Sequence, residues 1–186
     1  MFDLRAQCSR YFRYADLIEC GETWRTLHDR GAPVANLPAR DETFEGIAGL
    51  AAEILDPLLD RFGPLELTYG FAGPALTRHV RGRISPPHDQ HAGSETTSRG
   101  ALVCARRGQS CDLRVASIGA FEVAGWIRAN LPFDRMYLYG DARPLHVSYG
   151  PERAGKVYAM VRATRGVVPR DVTAVGWDTI RAGFAR

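Results

Sequence analysis

The run from Glu42 to Phe62 constrains the fold most, because its apolar residues recur at helical spacing and then stop abruptly. Ile47, Leu50, Ala51, Ile54, Leu55, Leu58 and Phe62 fall on one face of a helix. Asp41 stands at the cap position, and Gly63-Pro64 supplies the stop. Pro57 lies inside the pattern and predicts a kink or a split there. Immediately afterwards Leu65, Leu67, Tyr69 and Phe71 alternate with Glu66, Thr68 and Gly70. The period has dropped to two, which predicts a strand.

Other elements follow from the same reasoning. A short helix over Glu22 to Asp29, closed by Gly31, comes before the long one. Strands are predicted from Cys111 to Val115, Met136 to Tyr139, Leu145 to Tyr149 and Val157 to Ala163, with a turn at Gly140-Asp141. A helix from Ile118 to Ala129, capped by Ser117, separates the first two of these strands. The tail carries a short helix around Trp177 and Ile180, and Trp24, Trp126 and Trp177 are assigned to the core. From Ala72 to Gly108 periodicity disappears, and so long an irregular stretch in a compact domain is functional or disordered. Helices come early and strands late. The order predicts an α+β fold, with an antiparallel sheet and helices packed on one side. The 186 residues suit one domain, 1–186.

Charge and length exclude some functions. All but one of the 24 basic side chains are arginine, the exception being Lys156, and the net charge is only +3. The arginines are scattered, with Arg106-Arg107 the densest pair, which argues against a nucleic-acid surface. No apolar run reaches the roughly 20 residues that span a bilayer, so no membrane association is expected. The start, MFDLRAQCSRYF, lacks a secretory signal pattern and predicts a cytoplasmic location; a lysin released by a separate route would look the same. Cys8, Cys20, Cys104 and Cys111 form no C-x-x-C pair and are expected to be free thiols. A Cys104–Cys111 disulfide, or soft metal ligands from the same two residues, stays open.

Strand parity then picks out chemistry. Leu145, Val147 and Tyr149 share one face, which leaves His146 and Ser148 on the other. Likewise Leu113 and Val115 can face the core while Asp112 and Arg114 face away. His91, in the irregular segment, can complete a set of two imidazoles and a carboxylate. A catalytic zinc takes three such ligands and keeps one position open for water. His88 competes with His91 for the first place.

The same residues resemble the zinc D-Ala-D-Ala carboxypeptidase and L-Ala-D-Glu endopeptidase family, which shares a fold with the Hedgehog signalling domain. Its motif is S-x-H-x-x-G-x-A-x-D, followed by a strand carrying a third ligand. Asp89-Gln90-His91 stands at the first half, Gly108-Gln109-Ser110-Cys111-Asp112 at the second, and Arg143-Pro144-Leu145-His146-Val147-Ser148 at the last strand. Leu67 to Pro74 resembles the family's strand and turn, and the resemblance covers residues 10 to 150. It implies zinc held by His91, Asp112 and His146, and a peptide or peptidoglycan-derived substrate. It also implies a substrate-binding role for Arg78, Arg81 or Arg83 in place of the turn arginine, which is Ala72 here. Ser148, on the same strand face as His146, is a further substrate-binding candidate.

Two departures qualify that expectation. Residues 92–107 form an insertion, expected to loop out or to act as a lid. The position of the family's acidic general base holds Arg143, so Asp141, brought round by a bulge, is the candidate base. Three functions follow: a zinc hydrolase of amide bonds, a related metalloenzyme on a cytosolic small molecule or peptide, and a metal-stabilised interaction domain that binds through 72–108.

Overall fold

A computed structural model describes residues 3–80, 86–164 and 166–184. The long amphipathic run forms α3 (Asp41–Leu50), a π-helical turn (Ala51–Leu55) and α4 (Asp56–Phe62). The split falls where Pro57 requires it. Proline offers no N–H and its ring crowds the preceding turn, and a wider turn accommodates both. Arg40, not Asp41, occupies the cap position. Ile47, Leu50, Ile54, Leu55 and Leu58 are fully buried, each worth about 2 kcal/mol in apolar area removed from water. Ahead of this run lie α1 (Tyr14–Ile18), which the sequence pattern did not reveal, and α2 (Glu22–Asp29).

The described residues form a six-stranded sheet. Its strands are β1 (Leu65–Tyr69), β2 (Gln109–Val115), β3 (Arg135–Leu138), β4 (Leu145–Tyr149), β5 (Lys156–Ala163) and β6 (Gly166–Asp171), in the order β1-β2-β4-β3-β5-β6. The sheet is mixed, which corrects the expectation of a purely antiparallel one: β5 runs parallel to β3. β4 already occupies one edge of β3. The link 150–155 therefore carries the chain past the start of β3 to its free edge, where Arg135 pairs with both Ser148 and Lys156. β6 was missed because it lies exposed along its length on the outer edge, with no buried alternation to read. Pro169 is tolerated there because that edge needs no N–H.

One hydrophobic cluster joins the helices to a single face of the sheet. Phe44, Leu50 and Leu55 meet Cys111, Leu113, Val115, Leu145, Val147 and Met136, and α7 (Ala120–Asn130) adds Phe121, Ala124 and Ile127. α8 (Trp177–Phe184) contributes Ile180. Trp126 and Trp177 sit at the margin of this cluster, while Trp24 stacks on His28 outside it. All four cysteines are free, Cys104 and Cys111 being buried. Among the described residues no helix is long and apolar enough to cross a membrane.

The segment expected to be irregular contains two single helical turns, α5 (Pro74–Thr77) and α6 (Pro86–Asp89). Within 92–107 only the turn at 97–101 projects, and its residues are exposed. Ala92, Ser94, Glu95 and Cys104 are buried, and Glu95 accepts hydrogen bonds from Ala39 N and the Thr43 hydroxyl. Apart from that turn, residues 86–108 thus form a packed layer, hydrogen-bonded to the sheet and to α3.

Candidate metal centre

Strand register assembles one row across the sheet. Tyr69 pairs with Asp112, Asp112 with His146, His146 with Tyr137, and Tyr137 with Tyr158. Directly paired residues share a face, and this face is opposite the one that carries Leu113, Leu145 and Val147. Tyr69 belongs to the row because β1 is bulged between Leu67 and Tyr69. Thr68 is the extra residue, and its hydroxyl donates to Asp112 O at 3.1 Å. The bulge corrects simple alternation, which would have left Tyr69 with Leu65 and Leu67 on the core face.

His91 reaches this row from the covering layer. Gln90, at φ 57°, turns the chain after α6, and its amide spans the layer and the sheet. The amide nitrogen donates to Arg107 O (2.7 Å) and Asp134 Oδ2 (2.8 Å), and the amide oxygen accepts from the Ser148 hydroxyl (2.8 Å). The Ser110 hydroxyl donates to Asp89 O at 2.6 Å. Gly108, at φ 70°, lies against Tyr149 O so closely that a Cβ would collide with it. That explains the glycine opening Gly108–Asp112. Gly70 is fixed in a similar way, a Cβ there colliding with Leu17 O, and its own carbonyl faces His91.

The donor set is tightly drawn. One ligand atom from each of His91, Asp112 and His146 lies within 4.8 Å of the other two. His91 Nδ1 is 2.8 Å from Gly70 O, and a carbonyl only accepts, so Nδ1 carries the proton. In the neutral ring Nε2 then presents a lone pair to Asp112 Oδ1 at 3.4 Å. Two acceptors facing each other need a positive charge between them, either a proton or a metal ion. His146 Nδ1 approaches the same oxygen at 2.8 Å, while its Nε2 is buried without a partner. A tetrahedron with bonds near 2.0–2.1 Å has ligand atoms roughly 3.3 Å apart. The His91–Asp112 separation has that length, and the His146–Asp112 pair needs to open only slightly. The residues therefore fit a divalent ion bound through two nitrogens and one oxygen. The two imidazoles are almost fully buried, whereas 25% of the Asp112 side chain is exposed, so the site opens towards solvent on that side.

Electrostatics agree. Burial disfavours a charged His91 ring, but the Asp112 carboxylate beside it holds the ring above its ordinary pKa. Burial likewise opposes ionisation of Asp112, and His91 and His146 more than offset it, holding the carboxyl well below its ordinary value. Tyr69 packs on His91 with ring centroids 4.3 Å apart, and Tyr137 lies edge-on to His146 at 4.9 Å.

Other residues nominated from the sequence lie elsewhere. Asp141 does not turn towards the metal face: its carboxylate accepts from Phe121 N (2.9 Å) and its carbonyl from Ala120 N (2.9 Å). It closes the start of α7 on the helix side of the sheet, in place of the predicted Ser117 cap. Arg143 lines a cavity there with Asp141, Gly119 and Leu145. Ser148 faces the metal side but is fully buried in the Gln90 network. His88 is exposed and uses its carbonyl, which accepts from the Tyr137 hydroxyl, so of the two histidines only His91 joins the candidate donor set. Arg78 is exposed, and Arg81 and Arg83 lie outside the described residues. Sequence reasoning missed Gly70, Tyr69, Tyr137 and Gln90 as parts of the site. Only the dipeptide Gln90-His91 offered a local signal.

Comparison with known protein families, with curated proteins and with solved structures finds no significant match.

Proposed function

We propose that the protein is a zinc-dependent hydrolase of amide bonds acting on small peptides of the cell-wall type, with the Hedgehog/DD-peptidase fold. One observation carries the reading. His91 and His146 converge on a single oxygen of Asp112, and His91 is locked by Gly70 into the tautomer that points Nε2 at that oxygen. The collinear motif resemblance supplies the substrate class. When bound by His91, Asp112 and His146, zinc supplies Lewis acidity and lowers the pKa of a water at its open position. The chain's own contribution is orientation. The Gly70 carbonyl fixes the His91 ring, as outer partners of metal-binding histidines do. Asp112 provides the negative charge, and the Tyr69 and Tyr137 rings shield the two imidazoles from water. The substrate approaches past the exposed part of Asp112.

A second reading, a metal-stabilised interaction domain without a reaction, is favoured by the position of Asp141. Its carboxylate is engaged at α7, and no acid occupies the base position held by Arg143. Incubating the zinc-loaded protein with purified peptidoglycan and D-Ala-D-Ala peptides separates the two. Release of free amino groups that is lost in Asp112→Asn supports the hydrolase. Stoichiometric zinc with no release from any of these substrates favours the interaction domain.

A further inference from the structure

Asp141 and Arg143, absent from the metal face, meet around a cavity on the other face of the sheet. The cavity measures about 460 Å³ and lies between β2, β4 and the start of α7. That volume is in the range that takes a small organic molecule. Its floor is apolar. Leu113, Val115 and Leu145 come from the strands, Val123 from α7, and Ile118 from the turn before that helix. Its rim carries Arg114, Asp141 and Arg143. Ser117, Ala142 and Arg143, all at this rim, are exposed, so the cavity opens to solvent between them.

The charges at the rim do not balance. Asp141 is already engaged, because its carboxylate accepts from Phe121 N at 2.9 Å, at the positive end of α7. Gly119 makes room for that carboxylate, with which a Cβ would collide. Arg114 leaves β2 on the metal face, but its Nη1 reaches the turn between β3 and β4 and donates to Ala142 O at 2.7 Å. Its other nitrogens have no partner among the described residues. The Arg143 guanidinium makes no hydrogen bond or ion pair among them. Two guanidiniums therefore face one carboxylate that is bound elsewhere, which leaves one positive charge and several donors unused. A guanidinium takes two oxygens of a carboxylate side by side. A single negative charge matches the surplus, and a second one on the same ligand would be set against Asp141.

We infer that this cavity binds a small monocarboxylate with an apolar body. The carboxylate lies on Arg143, with Arg114 beside it, and the apolar part lies on Leu113, Val115, Val123 and Leu145. The site is separate from the metal centre. Leu113 and Leu145 follow or precede Asp112 and His146 in their strands and so turn to the opposite face. The inference stands whether or not the protein is a hydrolase.

Octanoate, octanol and acetate separate the two halves of the requirement. Each is titrated by calorimetry into wild type, with zinc and with chelator. Octanol keeps the body and loses the charge, and acetate keeps the charge and loses the body. Octanoate is expected to bind about tenfold or more tightly than either, as a charge-assisted contact added to apolar burial implies. Its affinity should be the same with zinc and with chelator. Arg143→Gln should bring octanoate down to the affinity of octanol, and Arg143→Lys should recover part of the difference. Ala142→Trp, at an exposed rim position, should block the cavity and abolish binding. Methyl NMR locates the ligand, with shifts expected at Leu113, Val115, Val123 and Leu145. Octanoate that binds no better than octanol or acetate overturns the inference, as does wild-type affinity in Arg143→Gln or Ala142→Trp. Methyl shifts confined to other residues overturn it too. Binding that requires zinc would make octanoate a ligand of the metal and overturn it as well.

Discussion

His91 has two ring nitrogens with two different tasks, and the Gly70 carbonyl decides which does which. In the metal-free protein the Nε2–Asp112 approach makes the pair an ion pair. The folded pKa of His91 is raised, so its contribution to stability is complete below the ordinary imidazole pKa and fades as pH rises through the folded value. Asp112 is held low, so its contribution is present above the ordinary carboxylate pKa and is lost as pH falls through the folded value. The two overlap between about pH 4 and pH 6.5, the ordinary values of the two groups. Chelator-treated protein should be most stabilised by the pair in that window, and NMR titration should find His91 above the usual imidazole range. A His91 that titrates at or below it would contradict the geometry. Asp141 offers the opposite test. As a cap of α7, Asp141→Ala should cost about 1 kcal/mol in denaturant unfolding and leave metal content untouched. Loss of metal in that variant would restore Asp141 to the site. Parity along Cys111–Val115 and Leu145–Tyr149 was enough to place Asp112 and His146 on one face. The role of Asp141 was not legible, because capping depends on where α7 begins in space rather than on the residues around Gly140.

Between elements, the site depends on two irregularities that no repeat pattern announces. The bulge at Thr68 moves Tyr69 from the core face to the His91 side, and the turn at Gly108 brings the covering layer down onto β2 and β4. Gly108→Ala combines a left-handed φ with a collision against Tyr149 O. It is expected to destabilise the protein by about 2 kcal/mol or more and to weaken metal binding at the same time. Isothermal titration with zinc, alongside urea unfolding, measures both, and a variant with wild-type stability would show that the close approach is not needed. The long helix, its break near Pro57 and five of the six strands were readable because burial imposes a period on them. β6 and the packed layer 86–108 were not. The first buries neither face, and the second is held by single hydrogen bonds such as those of Glu95 and Gln90 rather than by a repeating apolar face.

At the scale of the molecule, the candidate metal ligands come from both layers: Asp112 and His146 from the sheet and His91 from the segment that covers it. A bound ion would therefore tie the layers together and should stabilise the fold by mass action, about 2.7 kcal/mol at a free concentration 100 times its dissociation constant. Melting curves with zinc and with chelator should separate accordingly, and coincident curves would mean that folding and metal binding are not linked. The most direct test is elemental analysis of zinc per chain, in protein purified without chelator and offered zinc, for wild type and for Asp112→Asn, which keeps the shape and removes the charge. The arrangement predicts close to one zinc per wild-type chain and a near-complete loss in the variant. A wild type that takes up no metal, or a variant that holds as much as wild type, would contradict it.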